Sequence, residues 1–153
     1  MKSKDSTVEN LLNELLTDEL STIGRCTLYA HMCENLGYQE LHDALEKQAI
    51  DEMGHAEALI KRIMSLGGNP TVPNLTPAGA GKTVEEIISD NRNAESASIR
   101  AYNVVIFLAK QVGDKDTVKV LTDLLNTEKE HETWSKNQLS QVDKKKHKCP
   151  HAF

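Results

Sequence analysis

Cysteine is scarce in this chain and long apolar runs are absent, and both features limit the cellular compartments in which we expect the protein. The three cysteines, Cys26, Cys33 and Cys149, form an odd count without the spacing of a disulfide framework. Such usage indicates a reducing compartment. No run approaches the ~20 apolar residues that span a bilayer, and residues 1–5 lack the apolar segment of a secretion signal. We therefore expect a soluble, cytoplasmic protein with no membrane partner.

Strand patterns and an excess of positive charge are also missing. No segment alternates apolar and polar residues as a half-buried strand does. The 153 residues carry a formal net charge of −5, which makes no general case for binding nucleic acid. Basic residues are concentrated only in residues 143–153, where Lys144, Lys145, Lys146 and Lys148 occur. We predict that this segment is a flexible, solvated tail.

Apolar residues recur at helical spacing in four long segments, at about 6–34, 39–66, 83–112 and 115–142. Capping boxes begin the first segment at Ser6 and the third at Thr83. Gly37 can end the first in the left-handed conformation. The middle connection, residues 67–82, holds three of the four prolines and is long enough to cross the bundle. The predicted fold is all-α, a single domain over 1–153 whose residues 6–142 form an antiparallel four-helix bundle with this long crossover.

Two Glu-x-x-His units stand out, and each follows a single glutamate after the same 33-residue gap. The two halves are related by an offset of 76 residues. Residues three apart share one face of a helix. Four helices that each turn a glutamate inward, two of them adding a histidine, carry the ligands of carboxylate-bridged di-iron proteins. The six candidate metal ligands and catalytic residues are Glu19, Glu52, His55, Glu95, Glu128 and His131.

This ligand set also suggests which metal would bind. Carboxylate oxygens with one imidazole per ion favour iron or manganese. We expect Glu52 and Glu128 to bridge two ions, and each ion to gain one glutamate and one histidine from its own half of the chain. Both ions would keep open positions where dioxygen or peroxide can bind.

Along nearly its whole length the chain resembles bacterioferritin and its ferritin-like relatives. The residues that carry the resemblance are LLNELLTDEL at 11–20, DEMGH at 51–55, EKEH at 128–131 and Trp134. The resemblance implies that the six candidates are ferroxidase ligands for two iron ions per subunit. The implied activity is oxidation of Fe(II) by dioxygen or hydrogen peroxide. Fe(III) mineral would then be stored in a homo-oligomeric shell built from dimers.

Two further features bear on assembly. Met53 falls on the methionine that ligates haem at the bacterioferritin dimer axis, which implies haem b there; alternatively, it fills an interface gap. Bacterioferritins end in a fifth helix that lines an axis of a 24-subunit shell, and Pro150 with the lysine run does not form one. A shell of 12 subunits or a plain dimer is therefore an alternative.

Cys149 with His147 and His151 is either a surface metal or thiol site, or part of a disordered tail.

Several neighbours of the candidate ligands also have predicted roles. Cys26 shares the inward face of the first lone glutamate, either as an electron donor or as a small buried residue. Tyr102, on the face of the second, is a candidate for a hydrogen bond to a ligand carboxylate. We expect Asp51 to face the shell interior and collect iron, with Lys47 weakening that site. Trp134 is either a core anchor or an electron donor.

Three other functions compete with ferritin-type storage. A Dps-like or rubrerythrin-like peroxide scavenger would use the same ligands with hydrogen peroxide. The missing fifth helix and Cys26 favour it, and the absence of a Cys-x-x-Cys argues against a full rubrerythrin. A DNA-shielding protein would use the lysines of 144–148, but the acidic body disfavours a DNA partner. A hydrocarbon oxygenase is disfavoured because no substrate pocket or reductase partner is evident.

Overall fold

The computed structural model describes residues 2–72, 74 and 83–148, with side chains from Thr7 to Lys144 in those ranges. Four helices make up this part of the chain: α1 (Lys2–Asn35), α2 (Gln39–Ser65), α3 (Val84–Val112) and α4 (Lys115–Lys148). Helix α1 packs on α2 and α3, and α4 packs on α3 and α2. The predicted all-α four-helix bundle is confirmed. Within the described ranges, no helix combines the length and the apolarity that crossing a membrane requires.

Local sequence signals account for the end of α1 and for both ends of α3. Gly37 follows α1 with φ 86° and Gly113 caps α3 with φ 76°, a region that disfavours residues with a Cβ. Thr83 caps α3 with its side chain, which accepts a hydrogen bond from the backbone N–H of Glu86. The Glu86 carboxylate accepts one from the Thr83 N–H in return. The short connections at Gly37 and Gly113 make α1 antiparallel to α2 and α3 antiparallel to α4.

The start of α1 and the end of α4 lie at other residues than the sequence predicts. Helix α1 begins at Lys2 and not at the Ser6 capping box. Residues 2–5 contain no proline or glycine, so nothing stops the helix from continuing towards the N-terminus. Helix α4 continues to Lys148, past the predicted end at Val142 and into the segment predicted to be a flexible tail.

The physical reason for the longer α4 lies in its lysines. Lysine is a good helix former, and cations at the last turn interact favourably with the negative end of the helix dipole. The predicted site that combines His147, Cys149 and His151 lies outside the described side chains. The same holds for Pro150 and for the rest of the predicted tail beyond Lys148.

The core consists of two apolar clusters with a buried polar layer between them along the bundle. One cluster includes Leu12, Leu59 and Leu121, and the other is centred on Tyr29 and Ile88. Trp134 packs against the second cluster, which supports its interpretation as a core anchor. The polar layer is formed by residues of all four helices: Glu19, Thr22, Gln48, Glu52, His55, Asn91, Glu95, Glu128, His131 and Ser135. The candidate ligands therefore lie in the middle of the bundle.

Candidate metal centre

The structure brings all six candidate ligands together in the buried polar layer. Each is at most 5% exposed. One glutamate comes from each helix, and the histidines come from α2 and α4 because Glu-x-x-His spacing puts both side chains on one helix face. The six are Glu19 on α1, Glu52 and His55 on α2, Glu95 on α3, and Glu128 and His131 on α4.

The first donor group surrounds His55. Its Nδ1 lies 2.8 Å from Glu52 Oε2, 2.8 Å from Glu128 Oε1 and 3.7 Å from Glu19 Oε1. One ligand atom from each of these four side chains lies within 4.8 Å of all the others. Four donors at such separations can face a single cation.

The second donor group surrounds His131. Its Nδ1 lies 3.0 Å from Glu52 Oε1 and 3.8 Å from Glu95 Oε2. These side chains and Glu128 form another group whose ligand atoms lie within 4.8 Å of one another. Glu52 and Glu128 belong to both groups, as the predicted bridging arrangement requires. The assignment of the six as metal ligands stays a prediction.

Hydrogen bonds do not explain this convergence. Both oxygens of Glu52 and of Glu95, Oε1 of Glu128, and Nδ1 of both histidines are buried without a hydrogen-bond partner. Nδ1 of His55 lies 2.8 Å from a Glu52 oxygen and Nδ1 of His131 lies 3.0 Å from the other, but neither contact has the angle of a hydrogen bond. An unpaired buried donor or acceptor costs about 1–3 kcal/mol, and a charged one more. Cations between the groups would satisfy these atoms, and oxygen donors with one imidazole per group suit iron or manganese.

The electrostatics show that the metal-free cluster holds protons. Burial raises the pKa of Glu19 to about 8 and that of Glu128 to about 10, and it also raises the pKa of Glu95. Burial acts against ionisation of Glu52 too, but its contacts with both histidines lower its pKa. The pKa of His55 rises to about 12, because the surrounding carboxylates outweigh the effect of burial. A cation that binds here must therefore displace protons.

Tyr102 and Cys26 occupy the positions expected beside the cluster. The Tyr102 hydroxyl donates a hydrogen bond to Oε1 of Glu19, as the sequence predicts. Cys26 is fully buried, and its thiol donates to Oδ1 of Asn91 at 3.5 Å. Burial raises the pKa of this thiol well above its usual range. A thiol kept in its protonated form is a poor nucleophile, which supports the interpretation of Cys26 as a small buried residue.

Asp51 has a role that the sequence analysis does not predict. Its Oδ2 lies 3.1 Å from Nε2 of His131 and 2.8 Å from Nζ of Lys47. Because a carboxylate only accepts, Nε2 of His131 must carry the proton, and Nδ1 is left to face the cluster. Carboxylates commonly orient metal-bound imidazoles in this way. Asp51 and His131 are 80 residues apart on different helices, so no spacing signal could reveal the contact.

Met53 lies on α2 outside the cluster. The residue is 46% exposed, in accordance with its position about 100° from Glu52 around the helix. The neighbouring Gly54 leaves open space, because a Cβ placed there would meet no atom within 4 Å. The predicted haem ligation by Met53 stays a prediction.

Comparison with known proteins gives consistent matches. A family model for the ferritin-like domain matches residues 9–145. A bacterioferritin from Mycolicibacterium paratuberculosis is 31% identical over 140 residues, which cover 92% of this chain and 88% of that protein. A bacterioferritin from Mycobacterium leprae is 31% identical over 136 residues, covering 89% and 86%. A bacterial ferritin from Paramagnetospirillum magnetotacticum is 31% identical over 146 residues, covering 93% and 87%.

Proposed function

The chain belongs to the ferritin-like family, and on this premise we propose that it is a ferroxidase that stores iron. Fe(II) is the substrate, and the six clustered side chains are its binding site. The observation that carries the proposal is the pair of donor groups that share Glu52 and Glu128. Relatives named bacterioferritin and bacterial ferritin support the same activity.

The geometry suits a two-electron reaction. Two Fe(II) ions held side by side can give up two electrons together, which reduces dioxygen to hydrogen peroxide or hydrogen peroxide to water. The carboxylates supply the negative charge that stabilises the Fe(III) formed. Protons held by Glu19 and Glu128 leave when Fe(II) binds. Burial of the cluster keeps bulk water away and strengthens each of these interactions.

Storage requires many copies of the chain, and the surface of the single chain is consistent with assembly. Four large apolar side chains on α1, α2 and α3 are between 43% and 61% exposed: Leu28, Ile50, Val104 and Phe107. Exposed apolar side chains of this size often mark interfaces. We propose dimers that build a shell of 12 or 24 subunits, which would enclose the Fe(III) mineral.

Haem at the dimer interface is part of the same proposal. Exposed Met53 offers a thioether that could meet haem b from outside the bundle, and Gly54 leaves room beside it. When bound, haem would supply an electron carrier near the outer surface of α2. The alternative is a Met53 that fills a gap between two apolar surfaces.

The test is anaerobic addition of two Fe(II) per chain, followed by stopped-flow absorbance after mixing with dioxygen or with hydrogen peroxide. Light scattering on the same sample measures the mass. We expect fast oxidation, continued iron uptake and a shell-sized mass. Fast peroxide turnover by a dimer without mineral would instead favour the peroxide scavenger. Absence of oxidation with either oxidant would contradict the ferroxidase assignment.

A further inference from the structure

A second group of metal-ligating side chains lies at the end of the bundle where α1 turns into α2. It consists of His31 and Glu34 in the last turns of α1 and His42 in the first turns of α2. Along α1, His31 lies 12 residues beyond Glu19, or about 18 Å at 1.5 Å per residue. The apolar cluster around Tyr29 occupies the core between them. The group is therefore separate from the ferroxidase centre.

The three donors are close enough to share one ion. Oε2 of Glu34 lies 3.2 Å from Nδ1 of His31 and 3.9 Å from Nε2 of His42. One donor atom from each residue lies within 4.8 Å of the other two. Tetrahedral ligands about 2.0–2.1 Å from an ion are about 3.4 Å apart. Small rotations of the exposed His31 and Glu34 side chains would complete such a geometry.

His42 is held in the orientation that a metal ligand needs. Its Nδ1 lies 3.0 Å from Oδ1 of Asp43 and 3.1 Å from Nε2 of Gln39, whose amide donates to the Asp43 oxygen at the shorter distance of 2.8 Å. Because the carboxylate can only accept, the contact with Asp43 requires the proton on Nδ1 of His42. The Nε2 lone pair is then directed away from Asp43, on the side where Glu34 lies. A carboxylate that fixes the tautomer of an imidazole is a frequent partner of metal-binding histidines.

The charges around the group also favour a cation. The last turn of α1 has no basic residue, so the negative end of its dipole is uncompensated. The first turn of α2 would repel a cation through its N–H groups, but Glu40 lies in that turn and Asp43 follows it directly. Glu46, one turn after His42, adds a further negative charge.

We propose that His31, Glu34 and His42 bind one divalent transition-metal ion at the α1–α2 turn. Two imidazoles and one carboxylate suit Zn(II), Co(II) or Fe(II), and the remaining coordination positions would be open to water. The proposal stands whether or not the buried centre oxidises iron, because it uses none of that centre's residues.

Equilibrium dialysis of the full-length protein against Zn(II) tests this proposal. The buried centre would also take up zinc, so the measured quantity is the difference between variants. We expect His31→Ala and Glu34→Gln each to bind one zinc fewer per chain than the original protein. Both side chains are at least half exposed, so their loss leaves the core unchanged. Fe(II) oxidation should keep its original rate in both variants.

Two further variants separate ligation from general attraction. Glu46→Gln removes a nearby negative charge without removing a ligand, and it should keep the original stoichiometry. Asp43→Asn should weaken zinc binding at this site by about 10-fold, since it removes the carboxylate that orients His42 but removes no ligand. Equal zinc binding by the original protein, His31→Ala and Glu34→Gln would overturn the proposal. Loss of the same zinc from Glu46→Gln would also overturn it.

Discussion

The two halves of the buried centre are related by a 76-residue offset, but different neighbours secure them. In the first half, which contains Glu19 and His55, the carboxylate is held: the Tyr102 hydroxyl donates to Glu19. The imidazole is held less firmly. Among the described side chains, the contacts of His55 are made by Nδ1 with carboxylates of the cluster, and none is hydrogen-bonded to its Nε2.

The second half shows the opposite arrangement. The imidazole of His131 is held through Nε2 by Asp51. The carboxylate of Glu95 is not held, because neither of its oxygens has a hydrogen-bond partner in the described part of the chain. Each half therefore has one oriented ligand and one ligand that only a bound ion would orient.

The sequence explains the difference. The offset that relates the two halves places Cys26 at the position of Tyr102, and Thr127 at the position of Asp51. The Cys26 thiol donates to Asn91 and not to a ligand carboxylate. Threonine has no carboxylate to accept a proton from an imidazole. The candidate ligands repeat while the residues that hold them do not, so we expect the two proposed metal positions to differ in affinity.

The largest expected effect is the loss of fast Fe(II) oxidation when a candidate ligand is removed. Glu128→Ala and Glu95→Ala should each slow fast Fe(II) oxidation by more than about 100-fold, because losing even an orienting neighbour of a metal ligand costs about 10- to 100-fold. The helices should remain, which circular dichroism would check. Stopped-flow absorbance measures the rate.

Metal stoichiometry separates these two variants. Glu128→Ala removes a donor common to both groups, so we expect it to bind neither Co(II) ion at the centre. Glu95→Ala removes a donor from one group, so we expect it to retain one. Wild-type oxidation rates in both variants would contradict the site assignment. Equal Co(II) loss from both would contradict the division into shared and unshared ligands.

The next effect concerns the support of His131. Asp51→Asn should weaken metal binding in the second half by about 10- to 100-fold and leave the first half unchanged. Thr127→Val is the matched control at the related position, and it should change neither half. Calorimetric titration with Co(II) of the metal-free protein, carried out in the His31→Ala background to remove the proposed site at the α1–α2 turn, would resolve two affinities. A uniform loss at both positions would show that Asp51 acts through overall charge rather than through His131.

A smaller effect is expected at Tyr102. Tyr102→Phe removes the hydroxyl that holds Glu19 and leaves a buried carboxyl without this partner, which costs about 1–3 kcal/mol in the metal-free protein. Cys26→Ser is the control, because its hydroxyl can still donate to Asn91. Thermal unfolding of both variants without metal should show a lower midpoint for Tyr102→Phe alone. An unchanged midpoint would mean that the Tyr102 contact does not stabilise the first half.

Predictability from the sequence differs between features with a local cause and those without one. The end of α1 at Gly37 and the start of α3 at Thr83 depend on neighbouring residues, so both could be predicted. The convergence of the six candidates follows from helical periodicity and the repeat. The outer ends of α1 and α4 were missed because residues 2–5 and 143–148 contain no proline or glycine, and the residue that marks a stop for α4, Pro150, lies well beyond Val142.

Contacts between helices set the remaining features. The Asp51–His131 contact depends on how α2 and α4 are rotated about their axes, and local spacing does not specify this. The group at the α1–α2 turn is similar. His31 and Glu34 are visible as an i,i+3 pair, but His42 joins them only through the angle of the turn. Such contacts require the three-dimensional structure.

A further expected effect is the pH dependence of stability without metal. The pKa of Glu19 is about 8 in the folded protein against an ordinary 4.5, so the folded state keeps a proton that the unfolded state loses between those values. Stability must therefore fall as the pH rises through this window. His55 acts in the same direction above its ordinary 6.5, because its pKa is raised to about 12. Glu52, whose pKa is lowered, acts oppositely, but its contribution is complete above 4.5.

We therefore expect the melting midpoint of the chelator-treated protein to be lower at pH 8 than at pH 6. The metal-loaded protein should show a smaller fall or a rise, because cations replace the protons. Glu19→Gln removes one carboxyl of the first half that keeps its proton in this window, so it should make the metal-free profile less steep. Glu95→Gln removes the corresponding carboxyl of the second half, whose pKa burial also raises, and comparing the slopes of the two variants measures how unequally the halves hold protons. A metal-free midpoint that rises from pH 6 to pH 8 would contradict the picture of a proton-loaded cluster.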